Sequence, residues 1–279
     1  MRAWRRIAAG LAWALVWAAL ARWPARAAPA AASVQLEDLT WPELQARIRA
    51  GTTIALVPVG GTEQSGPQIA LGKHNARVRV LARRIAEQLG DAVVAPVLAY
   101  VPEGQIDPPT QHMRWPGTIS IPVPAFEATL VGAARSLLAH GLCHVFFLGD
   151  HGGYRESLVR AAAEVDRGRP APRKGCGAQA LPAYYRASDA DFAQSLKAQG
   201  YSAAEIGTHA GLADTALTLA TAPALVRTDP ATLASGVRAE GGNGDPRRAT
   251  AALGRPGADH VVEASVAAIR AAVGASARR

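Results

Sequence analysis

The sequence predicts an α/β fold, a mostly parallel sheet with helices packed on both of its faces. Three observations carry this. Short apolar runs alternate with longer segments of helical period, the pattern of a parallel sheet built by crossover helices. The runs Thr53–Val59 and Cys143–Leu148 are almost wholly apolar, as strands covered on both faces are. Each of these two runs then leads into a glycine-rich turn carrying a carboxylate and an imidazole. Ligands in such folds bind outside the carboxyl ends of the strands.

Taken in order, Val34–Arg49 reads as a short opening helix around Trp41-Pro42, with Leu36, Leu39, Leu44 and Ile48 apolar. Thr53–Val59 is the first strand. Asn75–Leu89 places Val78, Leu81, Ile85 and Leu89 at helical spacing, with Asn75 as its cap. Ala92–Leu98 is the second strand. Tyr100–Thr118 is rich in proline and glycine without a period, the mark of a functional loop. Pro124–His140 is a helix with Phe126, Leu130, Ala133 and Leu137 on one face, stopped by Gly141. The strand Cys143–Leu148 and a helix over Tyr154–Val165 follow. Arg167–Gly177 is a basic loop, and Ala178–Tyr184 a fourth strand. Ser188–Gln199 and Asp214–Ala220 are helical. Gly236–Gly257 is a glycine-rich loop before a closing helix, Ala258–Val273. One domain over residues 34–279 accommodates all of this.

The formal net charge of +8 over 279 residues does not indicate a nucleic-acid partner. Five arginines lie in the first 27 residues, which hold no acid; the remainder carries 25 basic against 22 acidic residues. No basic cluster interleaved with aromatics remains there. Those 27 residues have the layout of a signal peptide: a basic Met1–Arg6, an apolar Ile7–Ala21, and Ala25-Arg26-Ala27 as a small-residue cleavage site. The expectation is therefore removal on export to a periplasm or the exterior, leaving a flexible tail at 28–33 and no stable membrane anchor. The apolar run is short for a span of ~20 residues. An oxidising compartment would permit a disulfide between the two cysteines, but Cys143 starts a predicted buried strand and Cys176 lies in a loop, so Cys143 is expected as a free buried thiol.

Glu63 is the first candidate for chemistry, because a carboxylate at the end of a buried strand needs a partner. A salt bridge or a cap on backbone amides would serve that need as well as a metal. His151 follows in Gly149-Asp150-His151-Gly152-Gly153, where two donor types meet two glycines at a strand-to-helix turn. Backbone amides there would equally make an anion-binding nest. His74, His112 and His209 lie in predicted loops or at their edges, where functional residues concentrate. His140, His144 and His260 carry no expected role.

The order of several motifs resembles the creatininase (creatinine amidohydrolase) family over nearly the whole of residues 34–279. The family's Glu-Gln-His-Gly-Pro-His is kept here as Glu63, Gln64, Gly66 and Pro67. His112 precedes Arg114-Trp115-Pro116-Gly117-Thr118 as the family's histidine precedes its Pro-Gly-Thr. The family's Asn-Gly-His-Gly-Gly is similar to Gly149–Gly153. Its His-Ala-Gly with a following Glu-Thr is matched by His209-Ala210-Gly211 and Asp214-Thr215. Ala222–Val226 and Gly244-Asp245-Pro246 complete the order. The resemblance implies a three-layer α/β/α fold, metal-dependent hydrolysis of amide C–N bonds in compact substrates, and a homo-oligomer. It also implies two divalent cations bridged by an aspartate.

The departures alter that expectation. The family's histidine two residues after the glutamate is Ser65, its later one is Gln68, its bridging aspartate is His74, and its later glutamate is Asp214. A neutral imidazole offers one lone pair and cannot bridge two cations. Glu63, His74 and His151 remain as a two-histidine, one-carboxylate set of the kind that holds catalytic zinc with an open position. The expectation is one divalent ion, zinc first, with manganese and iron as the other candidates. Asp214 or Asp150 would act as general base, His209 would donate a proton to the leaving nitrogen, and His112 and Gln64 would contact a small amide substrate. Asp150 could equally orient an imidazole. Against an enzyme stands a binding or scaffold protein that kept the fold. Ser65 and Gln68 favour that alternative, while Glu63, His151 and His209, together with the gain of His74, favour an enzyme.

Overall fold

The computed structural model describes residues 33–167 and 174–277. The expected signal peptide, most of the tail after it and much of the basic loop lie outside them. Over the described residues the fold is the expected one: a parallel four-stranded sheet in the order β2-β1-β3-β4. Its strands are β1 (Ile54–Val59), β2 (Ala92–Val94), β3 (His144–Gly149) and β4 (Gly177–Ala180). β1 and β3 pair in register from Ile54 against His144 to Val59 against Gly149, so they end side by side.

Alternation along the strands feeds two cores. Ile54, Leu56, Phe146 and Leu148 face one way, against α2 (Lys73–Leu89), α8 (Leu212–Thr221) and α10 (Ala251–Ala277). Ala55, Val57, Val145 and Phe147 face the other, against α3 (Val123–Ala139) and α4 (Arg155–Asp166), with Leu44 and Ile48 of α1 (Trp41–Arg49) at its margin. Fully burying one such leucine or phenylalanine contributes about 1.5–3 kcal/mol. Both faces of β1 and β3 are sealed, which leaves the strand ends as the place for polar chemistry.

Several boundaries differ from expectation for identifiable reasons. α2 begins at Lys73, two residues early, and Asn75 does not cap it; the Asn75 Oδ1 accepts from the Gly61 amide at 2.9 Å. The fourth strand stops at Ala180 because Pro182 opens a short helix, α5 (Pro182–Arg186), in which its missing N–H is harmless. Three short helices, α6 (Phe192–Ala198), α7 (Ala203–Ile206) and α9 (Pro230–Gly236), flank α8 in sequence. The closing helix starts at Ala251, well inside the expected glycine-rich loop. Its glycines serve close packing: a side chain at Gly254 would collide with the Ala216 carbonyl of α8, and one at Gly257 would meet the Phe192 ring.

The cysteines are a correction. Cys143 is not free; it is joined to Cys176. The pairing of His144 with Gly177 sets the two residues side by side at the starts of β3 and β4, with Cα atoms 4.5 Å apart. A register between two strands decided this, and the separate environments of the two residues in sequence do not reveal it.

Candidate functional site

After β1 the chain passes Gly60-Gly61-Thr62 and turns Glu63 inward, then loops back to start α2. Lys73, His74 and Arg77 occupy the buried side of the first turns of that helix, directly beneath the strand ends. β3 delivers Asp150 and His151 beside them. The 100–120 loop brings Glu103 and His112, the segment leading into α8 brings His209, and the first turn of α8 brings Asp214.

Glu63 is fully buried and stands at the centre. Its Oε1 lies 2.8 Å from His74 Nε2, 3.4 Å from Lys73 Nζ and 3.7 Å from His209 Nδ1. Its Oε2 lies 3.3 Å from His112 Nε2 and 3.5 Å from His151 Nε2 and has no hydrogen-bond partner among the described residues. Glu63, His112 and His151 thus present three donor atoms within 4.8 Å of one another, a spacing that suits a metal ion. This set differs in one member from the expected one. His74 has both ring nitrogens engaged, Nε2 with Glu63 and Nδ1 with Asp150 Oδ2 at 2.6 Å, so it links two carboxylates.

The two aspartates expected near the reaction centre are held by cations. Asp150 is buried and takes Arg77 Nε at 2.8 Å and the Tyr184 hydroxyl at 2.7 Å in addition to His74. Asp214 accepts from Arg77 Nη1 at 2.8 Å, from the Ala210 amide at 3.0 Å and from Lys73 Nζ. Ala210 sits at φ +56, a left-handed position that costs a non-glycine residue roughly 1 kcal/mol and here aims its amide at Asp214. His209 Nε2 lies 2.9 Å from the Gln64 carbonyl. The Gln64 side chain joins three loops, with Nε2 2.9 Å from His112 Nδ1, 3.3 Å from His209 Nε2 and 2.7 Å from the Gly241 carbonyl.

The electrostatics follow from burial and these contacts. Burial raises the Glu63 carboxyl, but Lys73 and His74 outweigh it and hold the group far below the usual carboxylate range. Asp214 and Asp150 are also raised by burial and then drawn down, Asp214 by Lys73 and Arg77, Asp150 by Arg77 and His74. Burial lowers His151 to about 3 and, with Lys73, lowers His209 to about 4. His112 is likewise lowered, mainly by burial. All three imidazoles are therefore neutral near pH 7 and keep a lone pair to give. Glu103, absent from the sequence expectations, is pushed up to about 9 by burial and by the charge and close carboxyl contact of Glu63, with Lys73 pulling the other way.

These groups border a cavity of about 300 Å³, walled by Lys73, His112, Asp150, His151, His209 and Asp214 among others. Gly152 and Tyr185 are shared with a neighbouring cavity of about 640 Å³ that carries Arg155, Arg160 and Arg186. Sequence reading missed Lys73, Arg77, Tyr184 and Glu103. The signal for the first two was their i, i+4 spacing at the start of a helix immediately after the Glu63 loop.

A family model described as creatinine amidohydrolase matches residues 37–269. The chain is 38% identical over 115 residues to a mycofactocin precursor peptide peptidase of Mycolicibacterium smegmatis, covering 39% of this chain and 44% of that protein. It is 30% identical over 126 residues to a creatinine amidohydrolase of Pseudomonas putida, covering 45% and 47%. The alignments thus span about half the length of these curated relatives. The solved structure described as "Creatininase Mn" superposes with a TM-score of 0.68 at 25% identity, covering 86% of this chain and 98% of its own. With the model matched across nearly all of the described fold, the chain belongs to the creatininase family.

Proposed function

We propose that this protein is a metal-dependent amidohydrolase that cleaves C–N bonds in a small cyclic or compact amide, short peptides included. The observation that carries the reading is the orphaned Glu63 Oε2, faced by His112 Nε2 and His151 Nε2. A buried carboxylate oxygen without a donor is costly, and two neutral imidazoles beside it make a seat for a divalent cation. Zinc suits two imidazoles and a carboxylate, and manganese and iron are the other candidates. When bound, such an ion polarises a carbonyl and brings the pKa of water towards ~7.

In this reading Glu63, His112 and His151 hold the ion, and His74 fixes Glu63 from the far side. Ligation through His112 Nε2 requires Gln64 to release its contact with Nδ1. His209 donates its Nε2–H to the Gln64 carbonyl and keeps the Nδ1 lone pair, so it can take a proton from water and return it to the leaving nitrogen. Asp150 and Asp214 act as anchors for His74, Arg77 and Lys73. The shared wall between the two cavities supports a substrate longer than one residue. Among the described residues no helix is long and apolar enough to cross a membrane. The disulfide and the basic, apolar N-terminus support export to an oxidising compartment. A homo-oligomer is carried forward as part of the same proposal, checked by mass in solution.

The test is elemental analysis of purified protein beside Glu63→Ala, followed by a screen of cyclic amides and dipeptides. About one zinc per chain, lost in the variant, is the expected result. No bound metal and no turnover, with the variant as stable as the parent, would instead support a binding protein that has kept the fold. The saturation of Asp150 and Asp214 by cations is the observation that favours that second reading.

A further inference from the structure

Glu103 stands outside every role assigned so far, yet it is among the most completely enclosed charged residues. Its side chain is 0% exposed, and neither carboxylate oxygen has a hydrogen-bond partner among the described residues. Leaving such a group unpaired is costly, so a fold that holds it in place should gain something from it. The surroundings are built to hold it. The Glu103 amide donates to Ser120 Oγ at 3.0 Å, and that hydroxyl donates to the Gly104 carbonyl at 2.7 Å. Gly61, at φ +150, leaves the space the carboxylate occupies; a Cβ there would fall 2.6 Å from Glu103 Oε1.

The carboxyl faces two groups, the Glu63 carboxyl and the Nδ1 edge of His151, the latter 3.4 Å from Oε1. The opposite ring nitrogen, Nε2, points to Glu63 Oε2. A neutral imidazole has one N–H and one lone pair, and the partner of one nitrogen decides the state of the other. Two partners compete at Nδ1. The Gly153 amide, 3.4 Å away, asks Nδ1 to accept, which puts the proton on Nε2 and closes it to a cation. The Glu103 carboxylate asks Nδ1 to donate, which frees the Nε2 lone pair on the side of Glu63.

We propose that Glu103 is a positioning residue that selects the metal-binding tautomer of His151. Its Oε1 accepts the Nδ1–H, as an oxygen of either the acid or the carboxylate can, and turns Nε2 toward the cation seat beside Glu63. The inference rests on the metal-hydrolase reading and adds a residue to it. It also distinguishes the two imidazoles of the seat. His112 meets the Gln64 side-chain amide at Nδ1, whereas His151 meets a carboxylate and is the better-prepared ligand.

The test compares zinc affinity of the full chain with that of Glu103→Gln and Glu103→Leu by competition with a chromophoric chelator. Removing an orienting carboxylate typically weakens a metal site 10–100-fold. We expect about 10-fold for Glu103→Gln and nearer 100-fold for Glu103→Leu, without loss of thermal stability in the zinc-free variants. Nitrogen-15 spectra of zinc-loaded parent protein should show His151 protonated at Nδ1 and bound through Nε2. Affinities within two-fold of the parent for both variants, or His151 bound through Nδ1, would overturn the assignment while leaving the metal site intact. If the parent itself takes up no zinc, the metal-hydrolase reading falls and this one with it.

Discussion

Replacing Lys73 by methionine is the sharpest test of how the site is held. The Lys73 side chain is 1% exposed, with Nζ 3.4 Å from Glu63 Oε1 and in direct contact with Asp214 Oδ2. At that separation and an effective dielectric near 20, the Glu63 pairing alone is worth about 5 kcal/mol before desolvation. Methionine matches the stem in length but leaves two buried carboxylates short of a cation. Arg77 and the Ala210 amide still serve Asp214, and His74 still serves Glu63. The net loss should therefore fall at ~3–5 kcal/mol, the usual result of removing one member of a buried pair. Urea unfolding of the metal-free proteins measures it. The pH dependence supplies a second check. The Asp214 carboxyl is held well below its unfolded value near 4, so its contribution stands above that pH and is lost as pH falls through the folded value. The gap between parent and variant should narrow in acid. A loss under ~1 kcal/mol at pH 7, or a gap that does not narrow below about pH 4, would refute the account of Lys73 as the cation these carboxylates depend on.

Other outcomes can be checked with the same material. Reduction of the Cys143–Cys176 bond, which closes a loop of sequence separation 33, should lower the unfolding free energy by roughly 2–4 kcal/mol; urea curves with and without reductant measure it. His151 and His209 have folded values of about 3 and about 4, below the unfolded ~6.5. Metal-free protein should accordingly lose up to about 1.4 kcal/mol per histidine for each pH unit between 6.5 and those values, because the unfolded state binds the protons. A urea midpoint that does not fall between pH 6.5 and 5 would contradict this. Tyr184→Phe removes the hydroxyl held 2.7 Å from Asp150 Oδ1 and should cost about 1–3 kcal/mol with little change in the core, as read by thermal unfolding.

The strands were legible because burial on both faces writes an unbroken apolar run, and the two richest turns follow those runs directly. Glu63 and His151 could be singled out on that basis. His112 and His209 depended on the resemblance, since a loop histidine carries no local signature. The placement of His74 was not legible: its partner Asp150 meets it only once α2 is docked under β3. Glu103 lay in a loop marked as functional, but nothing in Val101-Pro102-Glu103-Gly104 indicates that the carboxylate turns inward. The disulfide was hidden for a related reason, because strand register is a tertiary property. Gly254 and Gly257 read as loop residues by propensity, and packing against α8 and Phe192 overrode that preference.

The close approach of Gly254 to the Ala216 carbonyl also bears on the order in which the molecule is assembled. α8 carries Asp214, the acceptor for Lys73 and Arg77, and its inner face is covered by α10, which ends at Ala277. The charged and imidazole groups of the site are all in place in the chain by residue 214, but the helix that seats α8 comes after it. During synthesis, the strands can pair and the first helices can dock while the charged web is still loose. Packing of α10 over α8 is what completes the wall of the site. A truncation that removes α10 while sparing Glu63, His74, Asp150 and Asp214 would therefore still leave that centre unmade.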